Sequence, residues 1–344
     1  MKKIARSDIG RLLARWQEQY SVLVPSAKSG TLQMAPWEGE DLSLDAYRNT
    51  SLPPKARFLP LRETLFAYRK TADGIALDLP GAPTDRQLLF GIRPCDARAA
   101  AMVDLVFRDT YPDSAYLERR RNTVLVGLGC TRPSGSCFCT SLGIDPSASP
   151  DVDVMLTDTG DAYLMEAVSP LGEELLANGA ELADATPDDE TKARECREES
   201  RTRIKRQINV EGVAKKLREV FEDREFWEKA AAKCISCGIC TFLCPTCYCF
   251  DINDEADPKD GSRWRHWDSC SFSLYTRMPV ENPREEKWQR VRQKVSHKYL
   301  FYPELFHLTA CTGCGRCIRL CPVNWDITRV LASLPEKTGK EGKG

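Results

Sequence analysis

Residues 234–245 have the sequence CISCGICTFLCP, in which the cysteines are spaced C-x2-C-x2-C-x3-C-P, and residues 311–322, CTGCGRCIRLCP, repeat that spacing. A [4Fe–4S] cube needs one thiolate at each of its four iron corners, and two-residue gaps let one compact loop reach three of them. Glycines between the cysteines permit the tight backbone bends that such a loop requires. The repeated stretch therefore predicts a protein that holds two [4Fe–4S] clusters.

The fourth cysteine of each motif follows a helical turn, so we expect its side chain to point away from the first three. In two-cluster ferredoxins this fourth cysteine ligates the other cluster. We therefore assign the first cluster to a set that spans both motifs, namely Cys234, Cys237, Cys240 and Cys321. The second set consists of Cys311, Cys314, Cys317 and Cys244. Because this exchange joins the two motifs, cluster binding should also fold the region around them.

Structural zinc is the alternative explanation for closely spaced cysteines. A zinc ribbon uses two separated CxxC pairs and needs only four ligands in total. A third cysteine at the same spacing, followed by x3-C-P, has no role in such a site. The three histidines, His266, His297 and His307, lie in no HExxH frame, which leaves little basis for hydrolytic zinc chemistry. The spacing favours iron–sulfur clusters over zinc.

The composition is that of a soluble globular protein. Its 344 residues are enough for two domains, with 42% hydrophobic and 29% charged residues. A formal net charge of -1 provides no bulk attraction to nucleic acid or to an anionic membrane surface. We find no apolar run of the roughly 18 residues that a membrane span needs, and no secretory signal. Sixteen cysteines in such a chain indicate metal-bound thiolates in a reducing, cytoplasmic compartment.

The first half of the chain has a pattern of alternating strands and helices. Residues 87–92 and 122–128 are apolar runs typical of buried strands, and residues 97–107 between them have a helical pattern with Asp96 as the cap. A strand, a crossover helix and another strand predict a parallel pair. Residues 151–156 and 162–168 predict a hairpin.

The fold class that we expect is α+β, with a mixed α/β domain followed by an α-helical ferredoxin-like domain that holds two [4Fe–4S] clusters. A long segment separates Cys244 from Cys311, and the helical pattern within it, over residues 283–299, favours helices around the clusters rather than a small β-hairpin ferredoxin. The domains that we predict are a mixed α/β domain (1–185), a charged helical connection (186–225), a dicluster ferredoxin-like domain (226–336) and a disordered tail (337–344).

Four further cysteines of the first domain form a candidate third cluster site. Cys95 and Cys130 each follow a predicted strand, and the carboxyl ends of parallel strands meet at one edge of a sheet. The loop after Cys130 can then bring Cys137 and Cys139 to the same edge. These four thiolates are enough for a third [4Fe–4S] cluster. The alternative is that they are buried packing residues, as free cysteines often are.

Four cysteines remain outside these sets. Cys247, Cys249 and Cys270 lie close in sequence to the first motif or to a tryptophan-rich segment, and we expect them to pack or hydrogen-bond near a cluster. Cys196 lies in the charged helical connection, where we expect an unligated thiol.

The chain resembles the β subunits of cytoplasmic sulfhydrogenases and NAD(P)-linked nickel–iron hydrogenases, and the related A subunit of anaerobic sulfite reductase. The matching stretches have the same order and span most of the chain: PPK at 53–55, LRETLF at 61–66, GIRPCDAR at 91–98, GC at 129–130, CFC at 137–139, CPTCYCFD at 244–251, WDSC at 267–270, and the second cysteine motif with PVN at 322–324. GIRPCDAR and CFC are far more particular than the ferredoxin motifs.

This resemblance implies an electron-transfer subunit that has no substrate of its own. Its partners would be a flavoprotein subunit that handles NAD(P)H and a hydrogenase or a sulfite or sulfur reductase subunit with the terminal redox centre. The alternative is an oxidoreductase with its own flavin, or an open cluster, in the N-terminal domain.

Overall fold

The computed structural model describes residues 1–42, 44–81, 83–179 and 181–335. The predicted disordered tail, residues 337–344, lies outside this part of the chain. Twelve strands are found within it: β1 (Lys2–Ala5), β2 (Ser21–Ser26), β3 (Gln33–Pro36), β4 (Arg62–Thr71), β5 (Gly74–Asp78), β6 (Gln87–Ile92), β7 (Thr123–Leu128), β8 (Val154–Asp158), β9 (Ala162–Ala167), β10 (Ala183–Asp184), β11 (Phe250–Ala256) and β12 (Asp260–Trp267).

The α-helices of the same residues are mostly short. They are α1 (Ile9–Trp16), α2 (Pro94–Arg108), α3 (Ser114–Arg121), α4 (Pro170–Ala177), α5 (Pro187–Thr202), α6 (Val213–Glu219), α7 (Arg224–Ala231), α8 (Ile239–Phe242), α9 (Lys287–Ser296), α10 (Tyr302–Phe306), α11 (Arg316–Arg319) and α12 (Ile327–Ala332). Short 3-10 helices cover Arg6–Asp8, Pro54–Arg57 and Cys139–Leu142, and a π-helical turn covers His297–Phe301. None of the helices described is both long and apolar enough to cross a bilayer.

An eight-stranded mixed sheet forms the N-terminal part, with the strand order β10-β1-β9-β8-β7-β6-β2-β3. Its centre is parallel: β6 pairs with β7, and β7 pairs with β8. All six residues of β7 are buried, because apolar layers cover both faces of the sheet. The predicted parallel pair at 87–92 and 122–128 is therefore confirmed, as is the antiparallel hairpin of β8 and β9.

The predicted cap of the helix after β6 is wrong. The N-cap of α2 is Arg93, and Pro94 occupies the first helical position, where its missing N–H is tolerated. Asp96 lies inside the first turn of α2, and its carboxylate binds an arginine from the second cysteine motif. The sequence pattern missed this because an aspartate in a first helical turn can either cap the helix or bind a distant partner.

A second sheet, antiparallel throughout, has the strand order β11-β12-β4-β5. The hairpin β11–β12 lies between the two cysteine motifs in sequence, so the domain that we expected to be α-helical also contains two strands. The sequence of β11 is polar, and its exposed residues give no alternating apolar signal. Pairing of β12 with β4 stabilises the hairpin, and β4 is almost 200 residues earlier in the chain.

The charged connection is not one continuous helix. Thr186 and Asp189 form a capping box at the start of α5, which agrees with the predicted helix start. However, α5 ends at Thr202, and α6 begins only at Val213 after an extended segment. This segment contacts both halves of the chain, because Ile208 N donates to Ser141 Oγ of the N-terminal part and Arg206 binds Asp326 of the C-terminal part.

Helices of the C-terminal part pack around the cysteine motifs. Trp227 of α7, Val295 of α9 and Leu217 of α6 are fully buried in one apolar cluster, which Phe138 of the N-terminal domain joins. The helix predicted over 283–299 is confirmed from Lys287 to its end, by α9 and the π-helical turn that follows it. The two halves of the chain therefore share a hydrophobic core.

Candidate iron–sulfur sites

In each motif a short helical turn includes the third cysteine and ends before the fourth. Gly238 and Gly315 have positive φ angles of 75°, and each begins a short helix, α8 or α11. That turn carries the third cysteine inward and places the fourth beyond its end, as the spacing predicts. The two motifs thus have the same local backbone, because glycine adopts this left-handed conformation without a Cβ penalty.

The first cavity lies between the two motifs. Four cysteines line it, three from the first motif and one from the second: Cys234, Cys237, Cys240 and Cys321. These are the residues of the first predicted set. The structure therefore brings this set together around one space.

The second cavity lies deeper in the protein. Its lining includes the whole second predicted set, Cys311, Cys314, Cys317 and Cys244. Cys240 also reaches this cavity, so it borders both. Burial raises the pKa of Cys311, Cys314 and Cys317, since a desolvated thiolate is unfavourable without a nearby positive charge.

Backbone amides point at the cysteine sulfurs around both cavities. The amide of Trp325 lies 3.2 Å from Cys321 Sγ, that of Ser236 lies 3.4 Å from Cys234 Sγ, and that of Gly313 lies 3.5 Å from Cys311 Sγ. Such N–H donors stabilise thiolates that carry negative charge. Two cavities, a full predicted set of four thiols around each, and amides directed at sulfur fit a pair of [4Fe–4S] clusters.

The candidate third set lies against the second motif. Phe138 N donates to Gly313 O at 2.9 Å, and Ser136 Oγ donates to Gly315 O at 3.1 Å. Cys137 Sγ is 3.5 Å from Cys314 O. A Cβ added at Gly313 would lie 2.5 Å from Cys139 N, so the second loop can approach this closely only with glycine.

The four thiols of this third set interact with one another. Burial raises the pKa of Cys139 to about 12, and the thiols of Cys137 and Cys130 add to the effect. Burial also raises the pKa of Cys95, to which Asp96, Cys314 and, more weakly, Cys139 contribute. Cys95 follows β6 and Cys130 follows β7, so both lie at the carboxyl edge of the parallel strands.

A buried ion pair joins the α/β domain to the second motif. Arg316 lies between Cys314 and Cys317, and it binds Asp96 of α2 in a bidentate pair with N–O distances of 2.6 and 2.7 Å. Both side chains are inaccessible to solvent. Arg316 Nε also donates to Thr50 O at 2.6 Å. Both residues lie in motifs that stand out in the sequence, but the sequence does not predict that they pair.

Two buried lysines of the helix that includes α9 were also missed. Lys298 Nζ lies 3.3 Å from Cys244 Sγ, and it donates to Thr246 Oγ1 and Ala310 O, each at 2.9 Å. Lys294, one turn earlier, lines both cavities. Their four-residue spacing places them on the same helical face as the buried Val291 and Val295, and this was the available sequence signal.

The remaining cysteines lie beside the second set or away from it. A hydrogen bond with Cys244 raises the pKa of Cys247. Lys55 Nζ donates to the carbonyl oxygen of Cys247. A hydrogen bond from Cys270 lowers the pKa of Cys249 to about 6. Cys196 lies in α5, far from these contacts, where burial raises its pKa.

The comparisons with known proteins agree with this geometry. A family model described as a 4Fe-4S dicluster domain matches residues 233–325. The chain is 33% identical over 301 residues to sulfhydrogenase 2 subunit beta of Pyrococcus furiosus, and the match covers 86% of each protein. No solved structure matches the chain.

Proposed function

The chain belongs to the family of sulfhydrogenase β subunits, and on that premise we propose that it transfers electrons between two other subunits of one redox complex. It is an iron–sulfur electron-transfer subunit with a [4Fe–4S] dicluster domain. The finer proposal is that a flavoprotein subunit handling NAD(P)H is one partner. The other is a hydrogenase or a sulfite or sulfur reductase subunit with the terminal redox centre.

The observation that carries this proposal is the division of the cysteines between two cavities. The lining of each cavity includes all four cysteines of one predicted set, and Cys240 of the first set also borders the second cavity. We assign these residues as ligands of two [4Fe–4S] clusters, which supply one-electron transfer when bound. The chain's own residues fix the clusters' positions and set their potentials through burial and hydrogen bonds.

The second cavity adjoins both the first cavity and the third set. Cys240 borders both the first and the second cavity. Phe138, which stands between Cys137 and Cys139 of the third set in the sequence, lines the second cavity. We therefore propose a third [4Fe–4S] cluster on Cys95, Cys130, Cys137 and Cys139. This order provides a continuous path from one domain to the other.

The end of this path at the first cavity is open to a partner. Cys237 is exposed, and Ile235 beside it is 59% exposed. An apolar side chain next to a ligand at the surface is suited to a subunit contact, since it excludes water near the cluster. We propose that one partner subunit docks here.

Anaerobic purification and single-ligand variants test the ligand assignment. We expect iron and sulfide in the wild type and two or more [4Fe–4S] EPR signals on reduction. Cys321→Ser should remove the signal of the first cluster, and Cys244→Ser that of the second. Cys196→Ser is the matched control and should retain all iron. Zinc without iron in the wild type, or full iron in both ligand variants, would contradict the proposal.

One observation favours the alternative of a catalytic site in the N-terminal domain. A surface cleft lies beside the third set, with Arg98, Arg197 and Glu166 in its lining. A flavin bound there would give the chain its own activity. The absorption spectrum of cofactor released by denaturation distinguishes the two functions, because a flavin band supports the alternative and its absence from iron-loaded protein supports electron transfer alone.

A further inference from the structure

The two cavities meet at a lysine. Of the residues that line them, Cys240 and Lys294 border both. Lys294 belongs to α9, and it is only 4% exposed. Its side chain therefore occupies the partition between the two cluster sites.

The ammonium group of Lys294 makes no hydrogen bond to an oxygen atom in the part of the chain that the structure describes, and the thiol of Cys240 is the polar group beside it. It lies 4.7 Å from the ring centroid of Trp325, which offers a weak cation–π contact. Lys298 provides the contrast, because it makes two hydrogen bonds to oxygen and borders the second cavity alone.

Charge explains why a lysine can remain buried in this position. Lys294 lines both cavities beside Cys240, and Cys317 lines the second cavity with it. A buried ammonium without hydrogen bonds is strongly unfavourable unless negative charge lies close to it. Cys240 belongs to the first set and Cys317 to the second, so that negative charge comes from both sites.

We propose that Lys294 is a positioning residue for electron transfer, a counter-charge that both cluster sites share. The inference rests on the ligand assignment proposed above. A cluster with four thiolates is negatively charged and becomes more so on reduction, so a fixed positive charge nearby favours the reduced form. Lys294 raises the reduction potential at both sites, whereas Lys298 acts on the second site.

Redox titration of the iron-loaded protein, followed by EPR, tests this inference. The variants are Lys294→Met, which keeps the length of the side chain and removes its charge, Lys294→Arg, which keeps the charge, and Lys298→Met. Cys321→Ser and Cys244→Ser assign each midpoint potential to a cavity. We expect Lys294→Met to lower the equilibrium constant for reduction at both sites by about tenfold. This corresponds to a midpoint potential that is lower by about 59 mV for one electron. Lys298→Met should lower only the second midpoint, and Lys294→Arg should keep both near the wild type.

Two results would overturn the inference. One is Lys294→Met with full iron and a shift at one site only or at neither. The other is Lys294→Arg with shifts as large as those of Lys294→Met. If Lys294→Met loses iron, Lys294→Gln repeats the measurement. Loss of iron in both neutral variants but not in Lys294→Arg supports the role of charge. Loss of iron in all three variants refutes that role. A wild type without iron would instead refute the proposed function.

Discussion

The two cysteine motifs have the same spacing and the same local backbone, yet their surroundings differ. In the first motif Cys237 is exposed, and Cys234 and Cys240 are half-buried. In the second, Cys311 and Cys314 are buried. The difference arises because the loop of residues 134–139 covers the second motif, whereas a single aromatic side chain, Phe272, packs against Gly238 of the first.

This comparison shows that the spacing of the cysteines does not determine the environment of each site. Burial, hydrogen bonds and local charge set an iron–sulfur potential, and all three come from the residues packed on the motif. We expect the first site to be the one that meets a partner and the second to be an internal step. The predictions that follow test this difference, beginning with the largest expected effect.

The ion pair between Asp96 and Arg316 should be the strongest contact that is unique to the second motif. Asp96→Ala leaves Arg316 buried without its counter-ion, and we expect this to cost about 3–5 kcal/mol of the free energy of unfolding, measured with urea. The double variant Asp96→Leu/Arg316→Met is the control and should recover most of the loss. A cost below about 1 kcal/mol for Asp96→Ala would show that the pair does not hold the two halves together.

The free energy of unfolding should also depend on pH, through His297 in the buried surroundings of the second motif. Burial, aided by the charges of Lys298 and Arg284, lowers the pKa of His297 to about 4, and its Nε2 lies 3.0 Å from Tyr248 Oη. An unfolded histidine has a pKa of about 6.5, so the unfolded state binds more protons between these values. The stabilisation is complete above pH of about 6.5 and is lost as the pH falls toward about 4, with a full size on the order of 3 kcal/mol.

Urea unfolding between pH of about 7 and about 5 measures this effect under conditions mild enough for the clusters. We expect His297→Gln to flatten the dependence of the unfolding free energy on pH. His307→Gln, a change at an exposed histidine, is the matched control and should keep the wild-type slope. Equal slopes for all three proteins would rule out His297 as the source.

The smallest expected effect comes from one glycine in each motif. Both Gly313 and Gly238 have positive φ, so alanine is strained at either position. At Gly313 the new Cβ would also meet the backbone of Cys139, at 2.5 Å from its nitrogen, whereas at Gly238 it would meet the ring of Phe272, which can move. We expect Gly313→Ala to cost about 2 kcal/mol and Gly238→Ala about 1 kcal/mol in urea unfolding. Equal costs would mean that the covering loop yields as easily as a side chain.

The sequence predicted those features that depend on short stretches of chain. The spacing of the cysteines defined both sets, because a loop with two-residue gaps can reach only one cube. The apolar runs at 87–92 and 122–128 predicted β6, β7 and their parallel pairing, since a strand buried on both faces has to be apolar throughout. The polar hairpin β11–β12 was missed, because its stability depends on β4 and not on its own residues.

The tertiary structure alone decided which charges lie near the cysteines. Asp96 and Arg316 are 220 positions apart, and neither residue's local sequence indicates the other. Lys294 has an ordinary place on an amphipathic helix, and only the packing of α9 against both motifs puts its ammonium between two cavities. Cysteine spacing is local geometry and can be read from the chain, whereas the electrostatic surroundings of a cluster depend on segments that meet only when the whole protein has folded.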